Sequence, residues 1–259
     1  MAIILPDIEI SEEELKTIII NINNYDHGSE GMIIKGQDKR SFRKIFDDFG
    51  LTSEKTEKTL ENKLNKLNKL YQIENFDNDV KIKNTVSCNG KLVGYDMVSD
   101  KINYPYTVVP LLKNDKIKFL KRIKKKLEYF HRLGIVFGDV KSDNILIDKR
   151  HKNISFCDLD NIQIYEHPID LYNVHIFKFQ NEDHLLDKSV DYYMYNLLLL
   201  NELLYEHYDY EHILTKIQKD IDTDIYSNLF NENGIVNIKK MVNIKKKYNG
   251  RYLIDNLKK

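Results

Sequence analysis

A two-part α+β fold is what this 259-residue sequence predicts: a small β-rich N-terminal part carrying one helix, then a larger helical part. Three observations lead there. Short apolar runs separated by turn residues fill the first hundred positions, an Asn89-Gly90 dipeptide among them. One amphipathic leucine repeat interrupts those runs. Beyond residue 100, apolar side chains recur at three- and four-residue steps, the period of a helix packed on one face. An apolar content of 42% is enough to build one large domain or two small lobes. We set the lobes at 1–98 and 99–259 of a single domain.

The elements follow in order. Met32 to Lys35 and Ser41 to Phe46 read as strands joined by the turn Gly36-Gln37-Asp38. Thr52-Ser53-Glu54 can cap a helix whose Leu60, Leu64, Leu67 and Tyr71 share one face. Thr85 to Cys88 and Leu92 to Val98 flank Asn89-Gly90, a pair that tolerates the positive φ angles of a type I′ hairpin turn. Ile117, Leu120, Ile123, Leu127 and Phe130 stripe a long helix that Gly134 ends. Ile145 to Ile147 and Ile154 to Cys157 are short strands. Val190 to Leu204 is apolar on nearly every face, as a helix inside a helical lobe would be.

Lys+Arg and Asp+Glu number 40 each, so no net field draws the chain to nucleic acid, and any electrostatic function is local. Cys88 and Cys157 lack metal-ligand spacing and are too few for a disulfide framework, which predicts a reducing compartment. The N-terminus meets acidic residues at once, unlike a signal peptide. The apolar stretch from Tyr192 is broken by Asn196, Asn201 and Glu202, so no membrane span is expected. The expected location is the cytoplasm, of the protein's own cell or of a host cell.

The stretch Val136 to Asp148 reads VFGDVKSDNILID and gathers the residue types of phosphoryl transfer. That reaction asks the protein for charge at phosphates and metal ions and a carboxylate beside the attacking hydroxyl. Asp139 can orient the hydroxyl and accept its proton, Lys141 can neutralise developing phosphate charge, and Asn144 can hold Mg²⁺. Asp158, at the end of a short strand, can supply the main metal carboxylate.

In this arrangement the chain resembles the eukaryotic-like (Hanks-type) Ser/Thr protein kinase superfamily. Phe137-Gly138-Asp139-Val140 through Asn144 is similar to the catalytic loop H-R-D-L-x-x-x-N, and Asp158-Leu159-Asp160 to the metal-binding D-F-G. Phe42-Arg43-Lys44 resembles the third-strand lysine motif, with Glu61 on the leucine-striped helix as its partner. Tyr25 to Gly31, with Gly28 and Gly31, looks like a shortened glycine-rich loop. Tyr95-Asp96-Met97-Val98 resembles the hinge, with Tyr95 as gatekeeper and the Asp96 and Val98 backbones at the adenine edge. Asp191 resembles the aspartate that supports the catalytic loop. The resemblance runs from about residue 25 to 205 and implies a bilobal kinase fold. It also implies ATP with Mg²⁺ or Mn²⁺, and transfer to a serine or threonine hydroxyl of a protein.

The chain departs from the family in three respects. Gly138 replaces the arginine that receives an activation-loop phosphate, and between Asp158 and Val190 the only serine is Ser189, with no threonine. Activity independent of activation-loop phosphorylation is therefore expected. Asp160 replaces a glycine, either as a second metal carboxylate or as a turn cap. No A-P-E motif follows, which keeps open a small-molecule kinase similar to the aminoglycoside phosphotransferases. An ATP-binding pseudokinase scaffold is the third reading. Asp158 to Asp191 holds eight acidic residues against two lysines, so a protein substrate would be basic.

Overall fold

The computed structural model describes residues 4–20, 26–28, 31–36, 40–47, 54–101, 103–106, 113–148, 150, 153–170, 179–205, 210–243 and 247–258, and it is a mixed α+β protein. In chain order the first elements are β1 (Asp7–Glu9), α1 (Glu12–Ile20), β2 (Asp26–Gly28), β3 (Gly31–Lys35), β4 (Ser41–Phe46) and α2 (Glu54–Gln72). Next come β5 (Val80–Cys88), β6 (Lys91–Ser99), β7 (Asn103–Pro105), α3 (Lys113–Arg132) and β8 (Ile135–Val136). They are followed by β9 (Ile145–Asp148), β10 (Ile154–Phe156), β11 (Gln163–Ile164), α4 (Ser189–Leu200), α5 (Tyr210–Asp220) and α6 (Glu232–Met241). The turn 37–39 and the helix cap at Thr52-Ser53 lie outside the described residues, as do Tyr25 and the loop tip Ser29-Glu30.

The chain divides into two compact units, Met1–Tyr104 with Leu146–Asp160, and Pro105–Ile145 with Asn161–Lys259. The division thus falls later than residue 98, and a distant segment joins the first unit. Hydrogen bonds within that unit explain why. Asn78 donates to the Phe156 carbonyl and accepts from its N–H, and Ser155 Oγ accepts from the Asp79 N–H.

Unit 1 is built on a six-stranded sheet of order β1-β5-β6-β4-β3-β2. The β5–β6 hairpin turns at Asn89 and Gly90, whose φ values of 53° and 70° are those a type I′ turn requires. Strand β1 runs parallel to β5, and its Asp7 carboxylate accepts from Thr85 Oγ1 at 2.6 Å and Ser87 Oγ at 2.9 Å. Ser11 Oγ accepts the Glu14 N–H at the start of α1, the usual N-cap bond. Leu15 of α1 joins Ile10, Met32, Ile45, Val86, Cys88 and Val93 in one apolar cluster. Helix α2 buries Leu67 and Leu70, and with them Lys63 and Lys66.

In unit 2, α3 ends at Gly134, whose φ of 73° suits a left-handed C-cap. Strands β8 and β11 then pair antiparallel. Every residue of α4 except Tyr192 is buried, which its apolar composition on all faces requires. Asn231 caps α6 by accepting the Gly234 N–H. No helix among the described residues is long and apolar enough to cross a membrane.

Candidate functional site

Two constellations stand out, one in each unit. In unit 1, alternation along β4 sends Arg43 and Lys44 to opposite faces of the sheet. Arg43 forks onto the Asp96 carboxylate, with Nε at 2.7 Å and Nη2 at 3.0 Å. Lys44, 4% exposed, sends its ammonium to Asp158 Oδ1 at 2.5 Å and Asp160 Oδ1 at 2.8 Å. Asp160, which has no exposed surface, also accepts from Tyr95 OH on Oδ1 at 2.7 Å and from Lys63 Nζ on Oδ2 at 2.9 Å. Lys63 comes from α2 and lies 4.9 Å from the centre of the Phe46 ring.

The chain makes this convergence possible at Asp158, whose φ of 63° is a left-handed value that aspartate tolerates better than most residues. The turn it forms between β10 and the short helical turn Leu159–Asn161 brings both carboxylates onto Lys44. Two ammoniums and two carboxylates cancel, which is what makes burying them tolerable. Burial works against the charged form of Lys44, yet Asp160 and Asp158 hold its pKa above the ordinary lysine value. Burial likewise disfavours ionised Asp160, and Lys44 with Lys63 overcomes this, holding its carboxyl well below the usual range. Burial, then the Asp160 charge, pushes the Tyr95 phenol upward.

Three expectations change here. Glu61 does not pair with Lys44: its side chain is exposed, because the inward face of α2 carries Lys63, Lys66, Leu67 and Leu70 instead. Asp160 is neither a turn cap nor an open carboxylate but a buried counterion. Asp96 and Val98 do not offer an adenine edge, since β6 is an interior strand whose backbone is committed to β4 and β5. Gly28 and Gly31 face each other across the β2–β3 hairpin. A Cβ on Gly31 would meet the Ile45 carbonyl oxygen at 2.2 Å, so sheet packing alone demands glycine there.

In unit 2, the loop after β8 hangs from one carboxylate. Asp191, at the start of α4, has no exposed surface and accepts the Phe137 N–H on Oδ2 at 2.9 Å and the Gly138 N–H on Oδ1 at 2.7 Å. His131 Nε2 of α3 donates to the same Oδ2 at 2.7 Å. Gly138 takes φ of 75°, where a side chain would be strained. The loop then presents Asp139, whose Oδ2 meets Lys141 Nζ at 2.7 Å and the Asn144 amide at 2.8 Å. That amide also donates to the Asp139 carbonyl at 3.0 Å. Further on, Gln163 clamps Leu186 from both sides, its amide nitrogen donating to the Leu186 carbonyl and its Oε1 accepting the Leu186 N–H.

Asn144 spends its amide hydrogens on Asp139, which leaves a carbonyl oxygen suited to a hard cation, and the Asp158 side chain is 26% exposed. Each donor, taken within its own unit, is an oxygen of the kind Mg²⁺ accepts, the rest of that ion's shell coming from substrate phosphates and water. Among the described residues no group of three or more His, Cys, Asp or Glu could hold a metal ion. Sequence reasoning missed Lys63 and the Tyr95 hydroxyl, and assigned His131 no function. The one available signal was Lys63 itself, a lysine four residues before Leu67 on an apolar stripe. No protein-family model matches this chain.

Proposed function

We propose that the chain is an ATP- and Mg²⁺-dependent protein kinase that transfers the γ-phosphoryl group to a serine or threonine hydroxyl. One observation carries this reading: the buried Asp191 carboxylate suspends the Phe137-Gly138 backbone by two N–H bonds, so that Asp139 stands on a fixed loop with Lys141 and Asn144 beside it. A general base must be held at hydrogen-bond reach of its proton, and a loop suspended in this way supports that role for Asp139. Lys141 and Asn144 both engage Oδ2 of Asp139, leaving Oδ1 for the substrate hydroxyl. Lys141, 2.7 Å from Asp139 Oδ2, can turn to the moving phosphoryl group. Lys44 supplies the buried positive charge for a nucleotide's phosphates. Asn144 Oδ1 in unit 2 and the Asp158 carboxylate in unit 1 are each an oxygen of the kind Mg²⁺ takes, and such an ion's charge would offset that of the phosphates.

The same reading makes activation-loop phosphorylation unnecessary. Where an arginine would receive the phosphate, Gly138 is packed against Ile169 and Leu186, and Gln163 fixes Leu186 through both of its backbone groups. Amide and apolar contacts thus do the ordering that a phosphate would otherwise do.

Labelled ATP offered with a mixture of basic proteins and a panel of small hydroxylic metabolites tests the proposal, using dephosphorylated wild type beside Asp139→Ala. Label should appear on protein serine or threonine, and the variant should be slower by about a thousandfold, as for loss of a general base. Label confined to a metabolite would replace the protein-kinase reading with a small-molecule kinase. Binding of ATP without any transfer would leave a nucleotide-binding scaffold.

A further inference from the structure

The proposed phosphoryl transfer leaves two buried lysines of α2, Lys63 and Lys66, without a task, and of these Lys63 meets Asp160. Lys63 sits on the inward face of α2 with 4% exposure, where leucine would be cheaper to bury. Its ammonium goes to Asp160 Oδ2, while Lys44 and the Tyr95 hydroxyl occupy Oδ1. The whole cluster belongs to unit 1. Without Lys63, the Lys44 ammonium would face two carboxylates, Asp158 and Asp160, with a net charge of minus one. A phosphate arriving there would be repelled. With Lys63 the cluster is neutral, and once Asp158 turns to another partner the two lysines exceed the remaining carboxylate.

We propose that Asp160 and Lys63 are positioning residues for Lys44: Asp160 fixes the Lys44 ammonium where it meets a nucleotide's phosphates, and Lys63 cancels the Asp160 charge so that Lys44 keeps its attraction for them. This rests on the kinase reading and deepens it. The task expected of a glutamate on α2 is divided between an aspartate that follows β10 and a lysine on the helix. The polarity of the helix contribution is reversed, which explains how Glu61 can stand exposed. Tyr95 completes the device by holding Oδ1 from the sheet side.

Steady-state kinetics of the full chain, corrected for the folded fraction, tests this with Lys63→Met, Lys63→Arg and Asp160→Asn. Lys63→Met should raise KM for ATP about tenfold, with a smaller change in kcat, because one unit of positive charge leaves the phosphate environment. Asp160→Asn should lower kcat by about a hundredfold, the cost of a misplaced group. Lys63→Arg should keep wild-type KM, since the charge remains. A merely structural pair would lower the melting temperature and leave KM and kcat of the folded molecules unchanged, and that result would overturn the proposal. Should Asp160→Asn fail to fold, the contrast between Lys63→Met and Lys63→Arg in KM decides alone. Wild type that neither binds ATP nor transfers label would remove the kinase reading and this proposal with it. Active wild type with unaffected variants removes only the proposal.

Discussion

Asp160 in unit 1 and Asp191 in unit 2 are both carboxylates without exposed surface, yet they are satisfied by opposite means. Asp160 is met by two ammoniums and a phenol, whereas Asp191 is met by two backbone N–H groups and an imidazole. Backbone donors come with the chain and cost no side-chain entropy to hold. They suit a support that never changes partner. Ammoniums on flexible stems are costly to order and can be reassigned when another anion arrives. They suit a place where a phosphate is received. On the proposed kinase reading, the difference separates a scaffold from a place where phosphate is received.

The contrast is sharpest when each carboxylate is removed. Asp160→Ala leaves Lys44 and Lys63 buried without their shared partner and should cost about 3–5 kcal/mol, as for breaking any buried ion pair. Urea unfolding followed by circular dichroism would measure it. Asp191→Ala leaves two N–H groups that water entering the vacated space can partly satisfy, so each should cost toward the low end of about 1–3 kcal/mol, and a loss of about 2–3 kcal/mol in all is expected. The comparison breaks if Asp191→Ala proves the more damaging, because the backbone anchor would then matter more to the fold than the buried ion cluster.

How much of this could be read in advance follows the same division. Asp139 and Asn144 lie five residues apart and bond each other, so spacing pointed to their pairing, whereas Asp191, 53 and 54 residues from the N–H groups it accepts, was reached only through the family resemblance. The hairpin at Asn89-Gly90 and the helix ended by Gly134 were legible because φ preferences are local. The Lys63–Asp160 bond spans 97 residues, and although Lys63 stands four residues before Leu67, both Lys63 and Lys66 turn inward, so periodicity does not say which of them meets Asp160. Glu61 was chosen by family position, while the rotation of α2 is set by Leu67 and Leu70 packing beneath the sheet. The three-residue β1 is too short for any alternation to register. Its pairing depends on the side chains of Thr85 and Ser87, far along the chain.

Gly138 probes the scaffold at smaller scale. Its φ of 75° and the 2.8 Å and 3.2 Å approaches of Ile169 and Leu186 to a built Cβ both disfavour a side chain. Gly138→Ala should cost about 1–2 kcal/mol, the left-handed penalty of an L-residue, and thermal unfolding would report it. A neutral result would mean that the loop relaxes around Asp191. On the other unit, Glu61→Ala should change stability by less than about 0.5 kcal/mol, as for an exposed position. A larger loss would return Glu61 to a structural role.

The smallest effect concerns the start of α4, two residues after Asp187. Burial raises the Asp187 carboxyl, but the Ser189 N–H at 2.8 Å and Lys247 at 3.6 Å more than offset this, so its folded pKa lies below the ordinary value. A depressed carboxylate pKa stabilises the fold above the unfolded value of about 3.9 and loses that contribution as pH falls through the folded one. The group is largely exposed, so solvent screening keeps the contribution well under about 1 kcal/mol. Asp187→Asn should therefore lie slightly below wild type in stability near pH 7, with the gap closing as pH falls below about 4. Unfolding curves of the two proteins at matched ionic strength measure that gap. A gap that widened toward acid would mean Asp187 is not held ionised by Ser189, and that α4 is anchored through Asp191 alone.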